Sequence, residues 1–171
     1  MMLVREKVNI HTCFYPYFER FNPILHKIIM QRASIRDKGA TMTEWRCNIM
    51  QFREIAQYAL KVIAHEDTCL DSAYKCDCPL QLRHLWGQWY AKGDYQISHT
   101  HLPTHWSFVY YVNTPRGSSP MIFTTSGKRI KAEAGKIVIF PAFLQHYVPE
   151  NNGEGRSVIS GNFFYNRNDA F

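Results

Sequence analysis

The stretch GDYQISHTHLPTHWSFVYYVN, residues 93–113, places three histidines directly before a run of aromatic and β-branched residues. Such a run is typical of a β-strand, because Val, Phe, Tyr and Trp fit the pleated, half-buried surface of a sheet. Similar runs recur through the C-terminal half, separated by turns rich in Gly, Pro, Asn and Ser. Short strands with this spacing predict a sandwich or barrel. The runs are LWGQWYA (85–91), WSFVYYVN (106–113), PMIFTT (120–125), KIVIFPA (136–142) and SVISGNFFY (157–165).

The N-terminal 70 residues have a different pattern, which is typical of helices. In WRCNIMQFREIAQYALKVI, residues 45–63, apolar side chains recur every three or four positions and form one face of an amphipathic helix. Thr41, followed three residues later by Glu44, has the form of a capping box and predicts a helix start near 42. The segment YPYFERFNPILHKIIMQ (15–31) predicts two short helices or one helix beginning at 22 or 23, because it contains Pro23.

Helices followed by strands over 171 residues predict one α+β domain, mainly β, with the helices packed on one face of an antiparallel sheet. We expect residues 1–82 to form a mainly helical support layer and residues 83–171 to form the β core. Aromatic residues make up 15% of the chain, which indicates a packed globular protein. Strand alternation predicts that Tyr110 and Tyr111 face opposite sides of their sheet, one inward and one outward.

Charge and cysteine content exclude several classes of function. The net charge is +6, but the basic residues are scattered, so nucleic acid is not expected as the main partner. The start MMLVREKVNIHTC carries charges where a signal peptide has its apolar core, and no segment approaches a membrane span in length. Five cysteines, an odd number, predict free thiols in a reducing, cytoplasmic setting. Cys76 and Cys78 lack a second ligand pair at zinc spacing, so we expect a loop there.

Four residues form a constellation that predicts metal chemistry. His99 and His101 are two positions apart, so on an extended chain both imidazoles point to the same side and can converge on one ion. His146 follows a strand-like run and a proline, as a ligand on an adjacent strand or loop would. Arg156 opens the next strand, and an arginine aimed into a barrel needs a carboxylate, which its planar guanidinium binds in a bidentate manner. The pattern predicts a three-histidine site beside a carboxylate-binding arginine.

The stretch from Tyr90 to Phe164 resembles the double-stranded β-helix core of the Fe(II)/2-oxoglutarate-dependent oxygenases. It is especially similar to the small members of this superfamily found in bacteria and marine phages. The matching segments are WYAKGDYQISHTHLPTHWSFVYYV, then AGKIVIFPAFLQHYVPENNGEGR, then a strand that contains Asn162. The resemblance implies a jelly-roll or cupin-like barrel and an Fe(II)- and 2-oxoglutarate-dependent dioxygenase that hydroxylates a substrate.

The resemblance also implies roles for individual residues. Carried over by position, His99 and His146 would be the two iron histidines. Arg156 would bind the distal carboxylate of 2-oxoglutarate, and Tyr90 would hydrogen-bond the same cosubstrate. Oxidative decarboxylation of 2-oxoglutarate would then drive the hydroxylation.

The chain departs from the family pattern at position 101. The family usually has Asp or Glu two residues after the first histidine, which completes a triad of two histidines and one carboxylate. A histidine there leaves one more positive charge at the iron and should alter its redox potential. Three explanations stay open: His101 is a genuine third ligand, which we favour; a carboxylate from elsewhere, such as Asp94, completes the site; or the iron chemistry is lost and only the fold remains.

The same histidines also fit the cupin pattern, which shares the barrel architecture. The first cupin motif matches GDYQISHTH (93–101), with His105 where a Glu is usual, and the second matches GKIVIFPAFLQH (135–146), with Phe143 in place of a Gly. The alternatives are therefore a cupin-type three-histidine metalloprotein, acting as a 2-oxoglutarate-independent dioxygenase or an isomerase, and a non-catalytic barrel binding module. Arg156 favours the 2-oxoglutarate-dependent enzyme.

Three further residues are candidates for the mouth of the substrate site: His105, Trp106 and Asn162. His105 is equally well interpreted as a plain loop residue, and Asn162 as a residue that satisfies backbone groups. No pattern in the loops 113–120 or 150–155 identifies the substrate, and none indicates an oligomeric state.

Overall fold

A computed structural model of the chain describes residues 7–37, 39–66 and 80–165. Cys76 and Cys78, predicted to lie in a loop, fall outside the described residues. The helices are α1 (Phe18–Arg32) and α2 (Met50–Glu66), and the strands are β1 (His11–Phe14), β2 (Ile35–Asp37), β3 (Ala40–Met42), β4 (Leu80–Tyr90), β5 (Gln96–His99), β6 (Trp106–Asn113), β7 (Met121–Phe123), β8 (Arg129–Ile130), β9 (Lys136–Pro141), β10 (His146–Val148) and β11 (Arg156–Tyr165).

The strands form two antiparallel sheets. The larger sheet has the order β1-β9-β6-β11-β4-β3-β2, and the smaller has the order β5-β10-β7-β8. One apolar cluster joins residues of both sheets, and a second joins the larger sheet to both helices. This arrangement confirms the predicted α+β, mainly β class with a double-stranded β-helix core and N-terminal helices packed on it.

The N-terminal segment is less purely helical than its pattern predicts, because three short strands extend the larger sheet. Thr41 lies in β3 and is the register partner of Trp89 in β4. Helix α2 therefore begins at Met50, and the predicted start near 42 is wrong. Strand pairing is favoured here over the helix cap, because it satisfies backbone hydrogen-bonding groups of residues 40–42. It also buries Met42, which is 1% exposed.

Both helices bury one apolar face against the larger sheet. Helix α2 buries the side chains that its periodicity marks, including Phe52, Ala56 and Ile63. Helix α1 runs unbroken from 18 to 32, so neither predicted arrangement around Pro23 is right. Pro23 lies in the second turn, where it removes a single intrahelical hydrogen bond, and tertiary packing of the helix compensates for that loss. Neither α1 nor α2 has the length and apolar character needed to cross a membrane.

Two neighbouring tyrosines show how the sheet separates its two cores. Tyr110 belongs to the cluster under the helices, and Tyr111 to the cluster between the sheets. The prediction that they face opposite sides is confirmed, yet both are fully buried, because α1 covers the outer face. The Tyr110 hydroxyl donates to Oδ1 of Asn22 on that helix and so fastens α1 to β6.

Candidate metal centre

The predicted histidines lie in a pocket between the two sheets. Strands of both sheets line it, so its walls are fixed by the barrel rather than by loops alone. Five residues of interest from the sequence share this pocket: Tyr90, His99, His101, His146 and Arg156.

Strand register brings two of the histidines together. His99 ends β5 and His146 begins β10, and the two are directly opposite in the antiparallel pairing of these strands. Side chains at such positions are close neighbours, and the two ring centroids are 4.5 Å apart. His99 and His146, 47 positions apart in the sequence, therefore come together in one site through a single strand pair.

His101 reaches the same place from the loop after β5. Its backbone N–H donates to the carbonyl of Ala142 at 2.8 Å, which ties this loop to the one after β9. The His101 ring lies 4.9 Å from the ring of His99 and 5.1 Å from that of His146, measured between centroids. The i and i+2 relation predicted from the sequence thus places both imidazoles on one side.

The three side chains form a group whose ligand atoms lie within 4.8 Å of one another. A metal ion about 2.1 Å from each imidazole nitrogen needs nitrogens roughly 3 to 4 Å apart, so the three ligand atoms lie close to the spacing that a metal requires. Among the described residues, 7–37, 39–66 and 80–165, these three histidines are the group that could hold a metal ion.

Backbone carbonyls orient two of the rings. Nδ1 of His99 donates to the carbonyl of Ile97 at 2.7 Å, and Nδ1 of His146 donates to the carbonyl of Leu144 at 2.9 Å. Since a carbonyl oxygen only accepts, Nδ1 carries the proton in both rings. With Nδ1 protonated, Nε2 is the ligand atom that each ring offers to a metal, and outer-shell partners usually fix ligand tautomers in this way.

Burial keeps His146 neutral. The side chain is 3% exposed, and this desolvation, together with the neighbouring His99, lowers the pKa of His146 to about 4. A histidine must be deprotonated to bind a metal, so the His146 imidazole can coordinate throughout the neutral pH range.

Arg156 points into the inner end of the pocket and is 1% exposed. It is the register partner of Tyr90, and its Cζ lies 4.3 Å from the Tyr90 ring centroid and 5.5 Å from that of Tyr111. These rings stabilise the cation through their faces, but Nε and Nη1 of Arg156 are buried without a hydrogen-bond partner. Burial of an unpaired cation is costly, so the arrangement fits a planar anionic ligand that supplies the missing acceptors.

The two tyrosines beside Arg156 remain hydroxyl donors. Burial raises the pKa of Tyr90 and of Tyr111, and the positive charge of Arg156 opposes this only in part. The Tyr111 hydroxyl is buried without a partner, as are two nitrogens of Arg156. Sequence alternation placed Tyr111 on a face of its strand but did not assign it to this site.

Asp94 does not join the histidines. Both of its oxygens accept from the Arg36 guanidinium, at 2.6 and 2.9 Å, and Oδ2 also accepts from the N–H of Ala91. Burial raises the pKa of Asp94, but these hydrogen bonds outweigh it and lower the pKa overall. Asp94 therefore holds the turn before β5, and the alternative in which it completes the metal site is wrong.

The three predicted mouth residues lie outside the described lining of the pocket. The ring of His105 is 5.0 Å from that of Tyr165, and its Nδ1 accepts from the Tyr165 N–H. Trp106 packs against the helix-side core. Asn162 is buried in the larger sheet, where Oδ1 accepts from the hydroxyl of Ser107. Each is used by packing or by a local hydrogen bond.

Sequence reasoning missed the polar pair Gln88 and Gln96, which lines the pocket between the histidines and Arg156. Nε2 of Gln88 donates to Oε1 of Gln96 at 3.1 Å, and both residues are buried. Period-two alternation from Tyr90 would have placed Gln88 on the same face of β4. No comparable signal marked Gln96, because its orientation depends on how β5 pairs across the barrel.

Comparisons with solved structures agree with the fold. A viral collagen prolyl hydroxylase from Paramecium Bursaria Chlorella virus-1, in complex with 2-oxoglutarate, gives a TM-score of 0.72 at 12% identity, over 92% of this chain and 96% of that one. A Pseudomonas putida prolyl-4-hydroxylase gives 0.64 at 15% identity, over 93% and 94%. HygX from Streptomyces hygroscopicus, with nickel, 2-oxoglutarate and hygromycin B bound, gives 0.66 at 10% identity, over 92% and 83%.

Sequence comparisons identify no relative of this chain. No family model matches the chain, and no curated protein matches it significantly. The likeness therefore rests on three-dimensional structure, and for the viral enzyme it extends over 92% of this chain and 96% of that one. The chain has the double-stranded β-helix fold of the 2-oxoglutarate–Fe(II) oxygenases.

Proposed function

We propose that the protein is an Fe(II)- and 2-oxoglutarate-dependent dioxygenase that hydroxylates its substrate. The observation that carries the proposal is the pairing of two features in one pocket. Three histidines offer ligand atoms within 4.8 Å of one another, and a buried arginine in the same pocket has two unpartnered nitrogens. The first feature fits a divalent metal and the second fits a carboxylate.

The residues at the inner end fit 2-oxoglutarate. Its distal carboxylate would accept from Nε and Nη1 of Arg156, which have no partner without it. The rings of Tyr90 and Tyr111 hold the guanidinium plane in place, and their hydroxyls stay protonated and able to donate. Structures with this fold that contain 2-oxoglutarate, including one with nickel, support the assignment.

The residues at the other end fit the metal. His99, His101 and His146 would hold it, with the carbonyls of Ile97 and Leu144 fixing the tautomer of two rings. When bound, Fe(II) would activate dioxygen, so that one oxygen atom converts a substrate C–H bond to C–OH and the other enters succinate as 2-oxoglutarate loses carbon dioxide. The chain's own contribution is to fix the ligands, to anchor the cosubstrate and to enclose the reacting atoms in a barrel.

A second candidate function is a three-histidine metalloprotein that does not use 2-oxoglutarate. The observation that favours it is the ligand set, because the constellation found among the described residues consists of three histidines. In this case Arg156 would bind a different anion or none. A non-catalytic barrel that binds no metal is the remaining alternative.

Anaerobic titration separates these functions. Fe(II) is added to the metal-free protein in a calorimeter, followed by 2-oxoglutarate with absorbance recorded across the visible range. A new metal-to-ligand charge-transfer band is expected only if 2-oxoglutarate chelates the iron. Metal binding with no band favours the second candidate, and no metal binding favours the non-catalytic barrel.

Arg156→Met tests the cosubstrate anchor, because it keeps much of the length of the side chain and removes its charge. Loss of charged hydrogen bonds worth about 1.5 to 3 kcal/mol should weaken 2-oxoglutarate roughly 10- to 150-fold and leave Fe(II) affinity nearly unchanged. Arg129→Met, at an exposed strand position outside the pocket, is the matched control. Equal loss of metal and 2-oxoglutarate affinity would contradict the role given to Arg156.

His101→Ala tests whether the third histidine is a ligand. Removing a ligand should weaken Fe(II) by more than about tenfold, since even an outer-shell partner accounts for that much. His105→Ala is the control, because this exposed neighbour lies outside the described pocket lining. If both variants bind Fe(II) like the unmodified protein, His101 is not a ligand.

A further inference from the structure

Four neighbouring side chains form what we call the basic aromatic patch: Trp45, Arg46, Arg83 and His84. Two segments of the chain supply them, and the N–H of Leu85 joins these segments by donating to the carbonyl of Trp45 at 3.1 Å. Arg46 pairs with Leu85 in an isolated β-bridge. The ring centroids of Trp45 and His84 are 6.2 Å apart. The four residues therefore occupy one region beside β4.

The patch adjoins the wall of the pocket next to the histidines. The ring of Trp45 lies 4.6 Å from that of Trp86, which lies 6.0 Å from that of His101, measured between centroids. These three residues line the pocket, and Trp45 is 42% exposed. Along β4, Trp86 separates His84 from Tyr90, which lies at the inner end of the pocket. The patch and the inner end are therefore on opposite sides of Trp86.

Arg83 presents its charge on the barrel side of the larger sheet. It lies in a β-bulge, because the pairing of β4 with β11 skips it. Phe163 packs in the cluster beneath the helices, so Phe164 faces the opposite side by strand alternation. Cζ of Arg83 lies 5.4 Å from the centroid of the Phe164 ring. This cation–π contact restrains the guanidinium, and Arg83 is exposed, so its N–H groups are accessible to a ligand.

The patch carries positive charge that no nearby carboxylate neutralises. No salt bridge joins Arg46 or Arg83 to a carboxylate of the described residues. Burial lowers the pKa of His84, and the charges of Arg83 and Arg46 lower it further, so both charges act at the same place. The closest carboxylate in the sequence, Glu44, acts instead on the Cys47 thiol, whose pKa is raised by burial and by the Glu44 charge.

We propose that the basic aromatic patch recognises an anionic group of the substrate, a carboxylate or a phosphate, which accepts from Arg83 with Arg46 beside it. The inference rests on the proposed function and specifies the substrate class for the same site. Arginine suits both anions, because its planar fork of N–H groups matches the spacing of their oxygens. The apolar part of the substrate then packs on Trp45 and Trp86 and extends toward His101.

The test uses two probes of similar shape that differ in charge: phenylacetate and phenylacetamide. Their affinities for the metal-free full chain are measured by ligand-observed NMR. We expect phenylacetate to bind at least about fivefold more tightly at low salt, and this preference should shrink at high salt, where exposed charges are screened. Equal affinities at low salt, or no binding of either probe, would overturn the inference. Phenyl phosphate, measured in the same way, shows which of the two anions the patch prefers.

Variants locate the preference, because Arg156 also fits a carboxylate. The preference for phenylacetate should persist in Arg156→Met, and adding Arg83→Gln to that variant should bring it close to onefold. Arg46→Gln should reduce it. Arg116→Gln, at an exposed arginine outside the described pocket lining, is the matched control and should keep it. A preference that disappears in Arg156→Met, or that survives Arg83→Gln, contradicts the proposal.

Trp45→Leu tests the apolar contact. It should weaken phenylacetate and phenylacetamide alike, by roughly threefold or more, and leave the ratio of their affinities unchanged. Tyr17→Leu, at an exposed aromatic residue outside the described pocket lining, is the control. Unchanged affinities in Trp45→Leu would show that the ring does not contact the ligand. If Trp45→Leu fails to fold by circular dichroism, the Arg83→Gln comparison decides alone.

The outcome is separable from the test of the proposed function. If Fe(II) and 2-oxoglutarate bind while phenylacetate and phenylacetamide bind alike, the anion inference is wrong and the dioxygenase proposal stands. If phenylacetate is preferred through Arg83 but neither Fe(II) nor 2-oxoglutarate binds, the patch recognises anions in a protein with another function.

Discussion

Acid should destabilise the metal-free protein through His146, and replacing that residue should remove the effect. The folded protein holds the His146 imidazole in its neutral form, because burial and the nearby His99 lower its pKa from 6.5 to about 4. The unfolded chain takes up the proton near pH 6.5, so unfolding binds a proton anywhere between these two values. Stability contributed by the neutral imidazole is therefore complete above pH 6.5 and is lost as pH falls toward 4.

The size of the effect follows from the shift. A difference of about 2.5 pKa units corresponds to about 3 kcal/mol when the loss is complete, at 1.36 kcal/mol per unit. At pH 5, where the folded imidazole is still mostly neutral, the linkage relation gives a loss of about 2 kcal/mol relative to pH 7.5. Burial also lowers the pKa of His26 and of His84, so protonation of these residues in acid also lowers the free energy of unfolding. A variant at position 146 keeps both residues, so their contribution cancels in the comparison.

Urea unfolding measures this directly, with a chelator present to keep metal away. The free energy of unfolding is determined at pH 7.5 and at pH 5 for the unmodified protein and for His146→Gln. The loss between the two pH values should be smaller by about 2 kcal/mol in the variant. His65→Gln, an exposed histidine on α2, is the control and should behave like the unmodified protein. If His146→Gln loses as much stability as the unmodified protein, the imidazole titrates normally in the folded state and the reasoning fails.

Two further substitutions probe the packing that supports the site. Gly135 has φ +85°, and a β-carbon there would lie 2.4 Å from Cγ of Phe18, so Gly135→Ala should lower the free energy of unfolding by about 2 to 4 kcal/mol in urea titration. Tyr110→Phe leaves the buried side-chain Oδ1 of Asn22 without its hydrogen-bond donor. This should lower the free energy of unfolding by about 1 to 3 kcal/mol, measured in the same way.

Matched controls separate these effects from general sensitivity. Gly127 has φ +68°, but a β-carbon at this position would meet no other side chain or backbone atom within 4 Å, so Gly127→Ala should lose only the backbone term of about 1 to 2 kcal/mol. Tyr17 is 65% exposed, and Tyr17→Phe should be nearly neutral. Equal losses in Gly135→Ala and Gly127→Ala would show that the Phe18 contact is unimportant.

Much of the candidate site follows from local pattern. The histidines at 99 and 101 share a side because an extended chain has period two, and Arg156 opens a strand after a glycine-rich turn. The apolar face of α2 is visible as a periodicity of three and four, and its buried members agree with that pattern. These features depend on neighbours within a few residues, which a single sequence displays.

Other features depend on partners far along the chain. Thr41 has the local signature of a helix cap, yet it pairs with Trp89 in a strand because the larger sheet is available beside it. Asp94 has the chemistry of a metal ligand, yet the guanidinium of Arg36 occupies both its oxygens. The residues adjacent to Thr41 and Asp94 in the sequence do not predict these partners.

Residue pattern alone is enough to predict the barrel of short strands, the presence of N-terminal helices and the residue types available for a metal and a carboxylate. The folded chain was needed to show that His146 lies opposite His99 and that Arg156 is buried with unpartnered nitrogens. Propensity and periodicity act over one turn or one strand, whereas register, burial and charge pairing arise when distant segments exclude water together.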